Sequence, residues 1–195
     1  MHSFKTFREA YELLERADPK FAKAQKALKF ASKAHRKQSR SDGKAYITHP
    51  YEVASIVKQF KQSNNIDDLV AAAYLHDTLE DTNATMADLT KMFGGLVASM
   101  VKELTSDKDV IDKKGKTDYL KDKMANMSSW SLVVKLADRL HNVSDLSTAK
   151  SEDWAKKYKA QTISILNDLE KRRDLSQTHK NMITAIRKKM DEFKK

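Results

Sequence analysis

His76-Asp77-Thr78-Leu79-Glu80-Asp81 sets an imidazole and three carboxylates directly after the apolar run Leu69-Val70-Ala71-Ala72-Ala73-Tyr74-Leu75. Such a run predicts a buried helix over residues 66–81. On it His76 and Glu80 lie one turn apart, as do Asp77 and Asp81. Gathering these groups in an apolar setting is costly unless a cation compensates, and a divalent metal is the simplest compensator. Lys135-Leu136-Ala137-Asp138-Arg139-Leu140-His141-Asn142, preceded by Leu132-Val133-Val134, offers a further carboxylate, Asp138, with Asn142 one turn beyond it. A second imidazole is expected from His49 in Tyr46-Ile47-Thr48-His49-Pro50. The proline disfavours helical backbone at His49 and itself suits a first helical position, so His49 is expected at the mouth of a helix, stiffly held and pointing outwards.

Imidazole and carboxylate donors, in a chain with no cysteine, point to Mn, Fe or Mg rather than structural zinc. A metal so held stays Lewis-acidic and lowers the pKa of water from about 15.7 towards neutrality. Glu80 and Asp81 are then candidates to take the released proton, with Glu80 as base and Asp81 as its orienting partner, the order left open. Each residue alone has an ordinary explanation: a chance His-Asp pair, a capping histidine, an aspartate paired with Lys135 or Arg139. The conjunction argues for a site.

Five ordered segments carry a resemblance: Ala34-His35-Arg36-Lys37-Gln38-Ser39-Arg40, Tyr46 to Pro50, Leu75 to Thr82, Phe93-Gly94, and Val134 to Asn142. Over residues 21–146 the chain resembles the HD-domain hydrolases of the RelA/SpoT group, in particular the small stand-alone alarmone hydrolases that lack a synthetase domain. The resemblance implies His49, His76, Asp77 and Asp138 as metal ligands, with Mn(II) the expected ion and Mg, Fe or Zn as alternatives. It implies that Glu80 and Asp81 orient and deprotonate the attacking water, that Asn142 contacts the nucleotide, and that Arg40 lies against the guanine base. Tyr46 and Lys44 complete the candidate substrate-binding set. The implied reaction is removal of pyrophosphate from the ribose 3′ position of (p)ppGpp, giving GDP or GTP.

The chain departs from the family pattern at Ser41, where many members carry a second basic residue; Lys44, just past Gly43, is the candidate substitute. Ala45 replaces a proline often found before Tyr46, and Ser144 an arginine. These changes bear on substrate preference more than on the metal. They leave open an HD phosphohydrolase acting on another nucleotide, such as the NADPH 2′-phosphate or an adenosine alarmone. A non-catalytic helical module that binds nucleotide or nucleic acid is the third reading.

The 195 residues are expected to form one HD-type domain, 1–195, with a single core. No cysteine, no apolar signal core in Met1-His2-Ser3-Phe4-Lys5 and no membrane-length apolar stretch suggest a soluble cytoplasmic chain. Lys plus Arg number 37 against 27 Asp plus Glu, a formal charge of +10 that favours polyanionic partners. The absence of an arginine-rich arm or aromatic platform argues against sequence-specific nucleic-acid reading, leaving a small nucleotide as the expected partner. Lys20, Lys23, Lys26, Lys29 and Lys33 recur at helical spacing and read as a solvated face.

With only 4 glycines and 2 prolines, the chain reads as an all-α bundle of about eight to ten helices. Phe4, Phe7, Tyr11 and Leu14 mark a first helix, and Asp18-Pro19 opens a second reaching about Gln38. A turn over 39–48 delivers His49 to a helix over 50–62. Thr85 to Asp88 resembles a capping box, and Gly94-Gly95 suits a left-handed cap. Residues 106–117 read as a mobile loop over the site, whose Lys113, Lys114 and Lys116 either meet phosphates or, the preferred reading, face solvent. Helices follow over 119–127 and 132–146, then one capped by Ser151 with Trp154, Tyr158, Ile163, Leu166 and Leu169 as apolar positions. Met182, Ile183, Ile186, Met190 and Phe193 mark the last; Phe193 is a candidate contact in a homo-oligomer. His35 is expected either to support the site or to pack as a structural histidine.

Overall fold

The computed structural model describes residues 19–146 and 151–192. The expected first helix, the Asp18 cap and Phe193 lie outside the described residues. The chain divides into two compact units, Met1–Thr105 and Ser106–Lys195. Among the described residues the fold is all-α, with eleven α-helices, one 3-10 turn and only an isolated bridge between Ser39 and Ala45. No described helix is long and apolar enough to cross a membrane.

In the first unit a 3-10 turn, Pro19–Phe21, leads into α1 (Ala22–Ala34), followed by α2 (Thr48–Phe60), α3 (Ile66–Leu75), α4 (Thr78–Asp81), α5 (Met86–Phe93) and α6 (Gly95–Leu104). The helix α3 is the core element. Ile66 and every residue from Leu69 to Leu75 are buried, as expected of a helix apolar on all sides, and α1, α2 and α6 pack around it. Each fully buried Leu or Val there contributes about 1.5–3 kcal/mol. The face that α1 turns to the core carries Ala24, Ala27 and Ala31, whose small side chains let the two helices approach closely. Asp67 on α3 caps α1 from a distance, accepting from the Lys23 and Ala24 amides at 3.0 and 2.7 Å, while Lys23 pairs with Asp68. The capping box forms as expected, with Asp88 N–H donating to Thr85 Oγ1 and Thr85 N–H to Asp88 Oδ2. Gly94 has φ +86°, the left-handed region that favours glycine.

Two expectations for this unit need correction. The predicted single helix over 66–81 is broken at His76-Asp77. The His76 Nδ1 donates to the Ala73 carbonyl and the Thr78 hydroxyl to the Leu75 carbonyl, three residues back in each case, so side chains take acceptors the helical ladder would use. Similarly, α2 begins at Thr48, two residues before Pro50, and His49 is buried in its first turn rather than pointing outwards. Pro50 is tolerated because the first-turn amides have no helical acceptor in any case.

The second unit comprises α7 (Lys108–Lys114), α8 (Lys116–Asn126), α9 (Ser129–Ser144), α10 (Glu152–Arg172) and α11 (Gln177–Glu192). Ser128 and Ser151 cap α9 and α10 by accepting from Ser131 N and Trp154 N. Helix α9 packs on α11 and α10 on α8. Arg173 donates to the Met124, Ala125 and Met127 carbonyls, so the end of α10 closes the C-terminus of α8. The expected loop over 106–117 is instead mostly helix α7. Asp107 caps it through Val110 N, the Asp107 amide donates to the Tyr119 hydroxyl, and Lys114 pairs with Asp122 across Gly115. Of the expected apolar positions on α10, Leu166 and Leu169 are buried but Trp154 and Ile163 are exposed, and Trp154 stacks on Tyr158 with ring centroids 5.1 Å apart.

Candidate metal centre

The break between α3 and α4 puts His76 and Asp77 where neither is bound to a helical face, and the first turn of α2 brings His49 to them. One donor atom from each of the three lies within 4.8 Å of the others. His76 Nε2 is 3.0 Å and His49 Nε2 is 3.7 Å from Asp77 Oδ2, and the two imidazoles meet edge to face at 5.1 Å. Both imidazoles are buried, while Asp77 is partly open to solvent.

The tautomer of His76 follows from its partner. A carbonyl only accepts, so the 2.8 Å contact with Ala73 O makes Nδ1 the donor and leaves Nε2 of the neutral ring as a lone pair facing Asp77. Lone pair against carboxylate at 3.0 Å is repulsive unless a proton or a cation joins them. Two imidazoles and a carboxylate converging with that polarity fit a divalent metal, and the Ala73 carbonyl is the kind of outer support that metal-binding histidines use.

Tyr46 supports the other side, its hydroxyl donating to Asp77 Oδ2 at 2.5 Å. The Tyr46 ring rests on His35 at 4.7 Å. His35 Nδ1 donates to Gln38 Oε1 at 2.7 Å, and Gln38 Nε2 donates to the Asp81 carbonyl at 2.6 Å. His35 is thus a buried structural histidine that braces both the tyrosine and the carboxylate turn. Burial pushes its pKa below the ordinary value, against the raising effects of the Gln38 bond and the charges of Asp77 and Asp81. The roles of Gln38, Thr78 and the Ala73 carbonyl escape sequence reading, although His35-x-x-Gln38 within one motif was a usable signal.

Glu80 and Asp81 follow on α4, Glu80 half-buried and Asp81 exposed, with the Asp81 amide bonded to the Asp77 carbonyl at 2.9 Å. Arg40 and Lys44 face each other across the tight turn, where Arg40 N–H donates to the Lys44 carbonyl and Gly43 takes φ +83°. Lys44 Nζ lies 2.9 Å from Asp42, so its charge is already shared. In the second unit Asp138 is buried on α9, where Lys135 Nζ donates to Oδ2 at 3.0 Å and Asn142 Nδ2 to Oδ1 at 2.7 Å. Of the four expected ligands, the first unit brings together His49, His76 and Asp77; Asp138 belongs to the second.

The chain matches the family model of the HD domain over residues 27–176. It is 37% identical over 151 residues to guanosine-3′,5′-bis(diphosphate) 3′-pyrophosphohydrolase MESH1 of Homo sapiens, covering 75% of this chain and 76% of that one. It is also 37% identical over 153 residues to GTP pyrophosphokinase rsh of Brucella melitensis, covering 73% of this chain and 20% of the relative, so it spans about a fifth of that protein's length. Among solved structures it is similar to a metazoan ortholog of SpoT described as hydrolysing ppGpp, with a TM-score of 0.74 and 26% identity over 88% of this chain and 95% of the other.

Proposed function

The chain belongs to the HD-domain family, and from that membership and the polarity of the His49–His76–Asp77 cluster we propose that it is a metal-dependent hydrolase removing the 3′-pyrophosphate of guanosine alarmones, (p)ppGpp to GDP or GTP plus pyrophosphate. The observation that carries it is the His76 ring, whose Nδ1 is committed to Ala73 and whose Nε2 faces Asp77. We assign His49, His76 and Asp77 to the metal, with Asp138 as the remaining carboxylate on the strength of its sequence motif. Mn(II) is the proposed ion, ahead of Mg, Fe or Zn. When bound, such an ion supplies Lewis acidity towards a phosphate oxygen and makes water more acidic.

The chain's own residues supply the rest. Tyr46 holds the Asp77 carboxylate in place through its hydroxyl. Glu80, oriented by Asp81, accepts a proton from the water that attacks the phosphorus next to the ribose. The bond from that phosphorus to the 3′-oxygen breaks, pyrophosphate departs, and the proton returned by Glu80 leaves the ribose with a 3′-hydroxyl. Arg40, Lys44 and Tyr46 on the turn, and Asn142, form the proposed contacts to base and phosphates. The family resemblance and the names of the relatives support guanosine as the base. The partner is the nucleotide itself; a cytoplasmic setting is in keeping with a cysteine-free chain, and assembly into a homo-oligomer is a further expectation.

Metal-stripped protein incubated with ppGpp, with and without Mn(II), and resolved by ion exchange tests the reading. Manganese-dependent GDP and pyrophosphate are the expected products. Intact ppGpp alongside confirmed metal binding would redirect the site to another nucleotide, with NADPH and an adenosine alarmone tried next.

A further inference from the structure

The solvent-exposed Lys26, Lys29 and Lys33 of α1 line an open groove of about 910 Å³, whose opposite wall is the 82–92 segment. That volume lies within the roughly 300–1,000 Å³ of small-molecule sites. Five cations line it: Lys26, Lys29 and Lys33 along one face of the helix, then Arg36 and Lys37 just past its end. All five are exposed, and among the described residues none makes an ion pair or a side-chain hydrogen bond, whereas Lys23 and Lys44 of the same unit hold Asp68 and Asp42. Asp88, the one acid on the walls among the described residues, already accepts from the Thr85 amide and hydroxyl in the capping box. Neighbouring like charges repel, and a cleft lined by one sign concentrates counter-ions of the other.

The floor differs from the rim. Phe30, braced edge-on against Phe93 at 5.7 Å, and Met92, 50% exposed, offer apolar surface between the cations. None of His49, His76, Asp77, Arg40, Lys44 or Tyr46 lines this groove.

We propose that the groove between α1 and the 82–92 segment is a second anion site, separate from the metal cluster, that binds a run of three or more phosphates. Such a run occurs in inorganic polyphosphate and in a nucleoside triphosphate, and the rim fits both. A nucleoside triphosphate would in addition seat its base on Phe30 and Met92.

The test is calorimetric titration of the full chain with sodium tripolyphosphate in EDTA, which keeps the metal cluster unloaded. One binding event is expected, weakening as salt is raised. Lys29→Glu with Lys33→Glu should lower the affinity about tenfold or more, while His49→Ala leaves it nearly unchanged. Unchanged thermal midpoints check folding, and the Lys29→Ala with Lys33→Ala pair serves if charge reversal unfolds the chain. GTP and ATP binding more tightly than tripolyphosphate, with the excess erased by Met92→Glu, would name the nucleotide; equal affinities would name the inorganic chain. No binding at millimolar concentration, wild-type affinity in both lysine pairs, or loss on His49→Ala would overturn the site. So would a short RNA that binds far more tightly and that tripolyphosphate fails to displace.

Discussion

Asp77 and Asp138 each follow an apolar run, residues 69–75 in one case and residues 132–137, interrupted by Lys135, in the other. Their settings diverge from there. At Asp77 the helix breaks, and one carboxylate oxygen collects contacts from three places: Tyr46 before α2, His49 in its first turn, and His76 beside it. At Asp138 the helix runs on, and both oxygens are held by side chains of the same helix, Lys135 three residues before and Asn142 four residues after. The first arrangement depends on packing, because three segments must arrive together. The second is built into the spacing of one helix. A carboxylate with a cation and an amide on it is satisfied as it stands; a carboxylate facing a lone pair calls for a further positive charge.

The largest effect should come from breaking the packed arrangement. Asp77→Ala removes the atom on which the other three side chains converge, and should abolish Mn(II) binding, measured by calorimetry, together with turnover. Retained metal affinity would remove Asp77 from the ligand set. Next, Glu80→Gln should keep the metal and lose about 10²–10⁴-fold in rate, the span of a general acid or base. A metal-loaded variant at wild-type speed would exclude Glu80 as the base.

Tyr46→Phe deletes only the hydroxyl on Asp77 and should cost about 10–100-fold in metal affinity or activity, the usual effect of losing a ligand's support. Its thermal midpoint should barely move, since the ring still packs on His35. His35 adds a pH dependence to the same region. Burial holds its folded pKa below 6.5, so the unfolded chain takes up the proton first as pH falls. The stability it contributes is fully present above pH 6.5 and is lost as pH drops below that value towards the folded pKa. Metal-free wild type should therefore lose more stability across that window than His35→Leu, and identical pH slopes would dismiss the residue. Last is Lys135→Ala, which takes the cation off the buried Asp138 but leaves the Asn142 amide on it, and should cost about 1–3 kcal/mol in denaturant unfolding. A larger loss would mean that the hold on Asp138 is not merely local.

What could be read from the chain is what short spacing encodes. The all-α class, the capping box at Thr85 and Asp88, the Ser151 cap and the burial of residues 69–75 depend on neighbours within a turn or two, and the structure has them where they were expected. The candidate residues were legible as types in ordered motifs. Elements whose state rests on side-chain competition were misread. The 66–81 segment has unbroken helical periodicity, yet His76 and Thr78 reach back to carbonyls that periodicity assigns to amides. The 106–117 segment is polar enough to pass for a loop, but Asp107 and the Lys114–Asp122 pair make it a helix.

By itself, then, the sequence determined the helical class, the family motifs and the inventory of imidazoles and carboxylates, because hydrophobic period and residue chemistry are local properties. Only the tertiary structure decided which atoms meet. It buried His49 in a helical first turn although the following proline disfavours helical backbone there, turned the Nε2 of His76 towards Asp77, set the Tyr46 hydroxyl on the same oxygen, and placed a second wall opposite the lysines of α1. Those outcomes depend on contacts between residues tens of positions apart, whose geometry is set by how α1, α2 and α6 pack around α3 and which no spacing along the chain records.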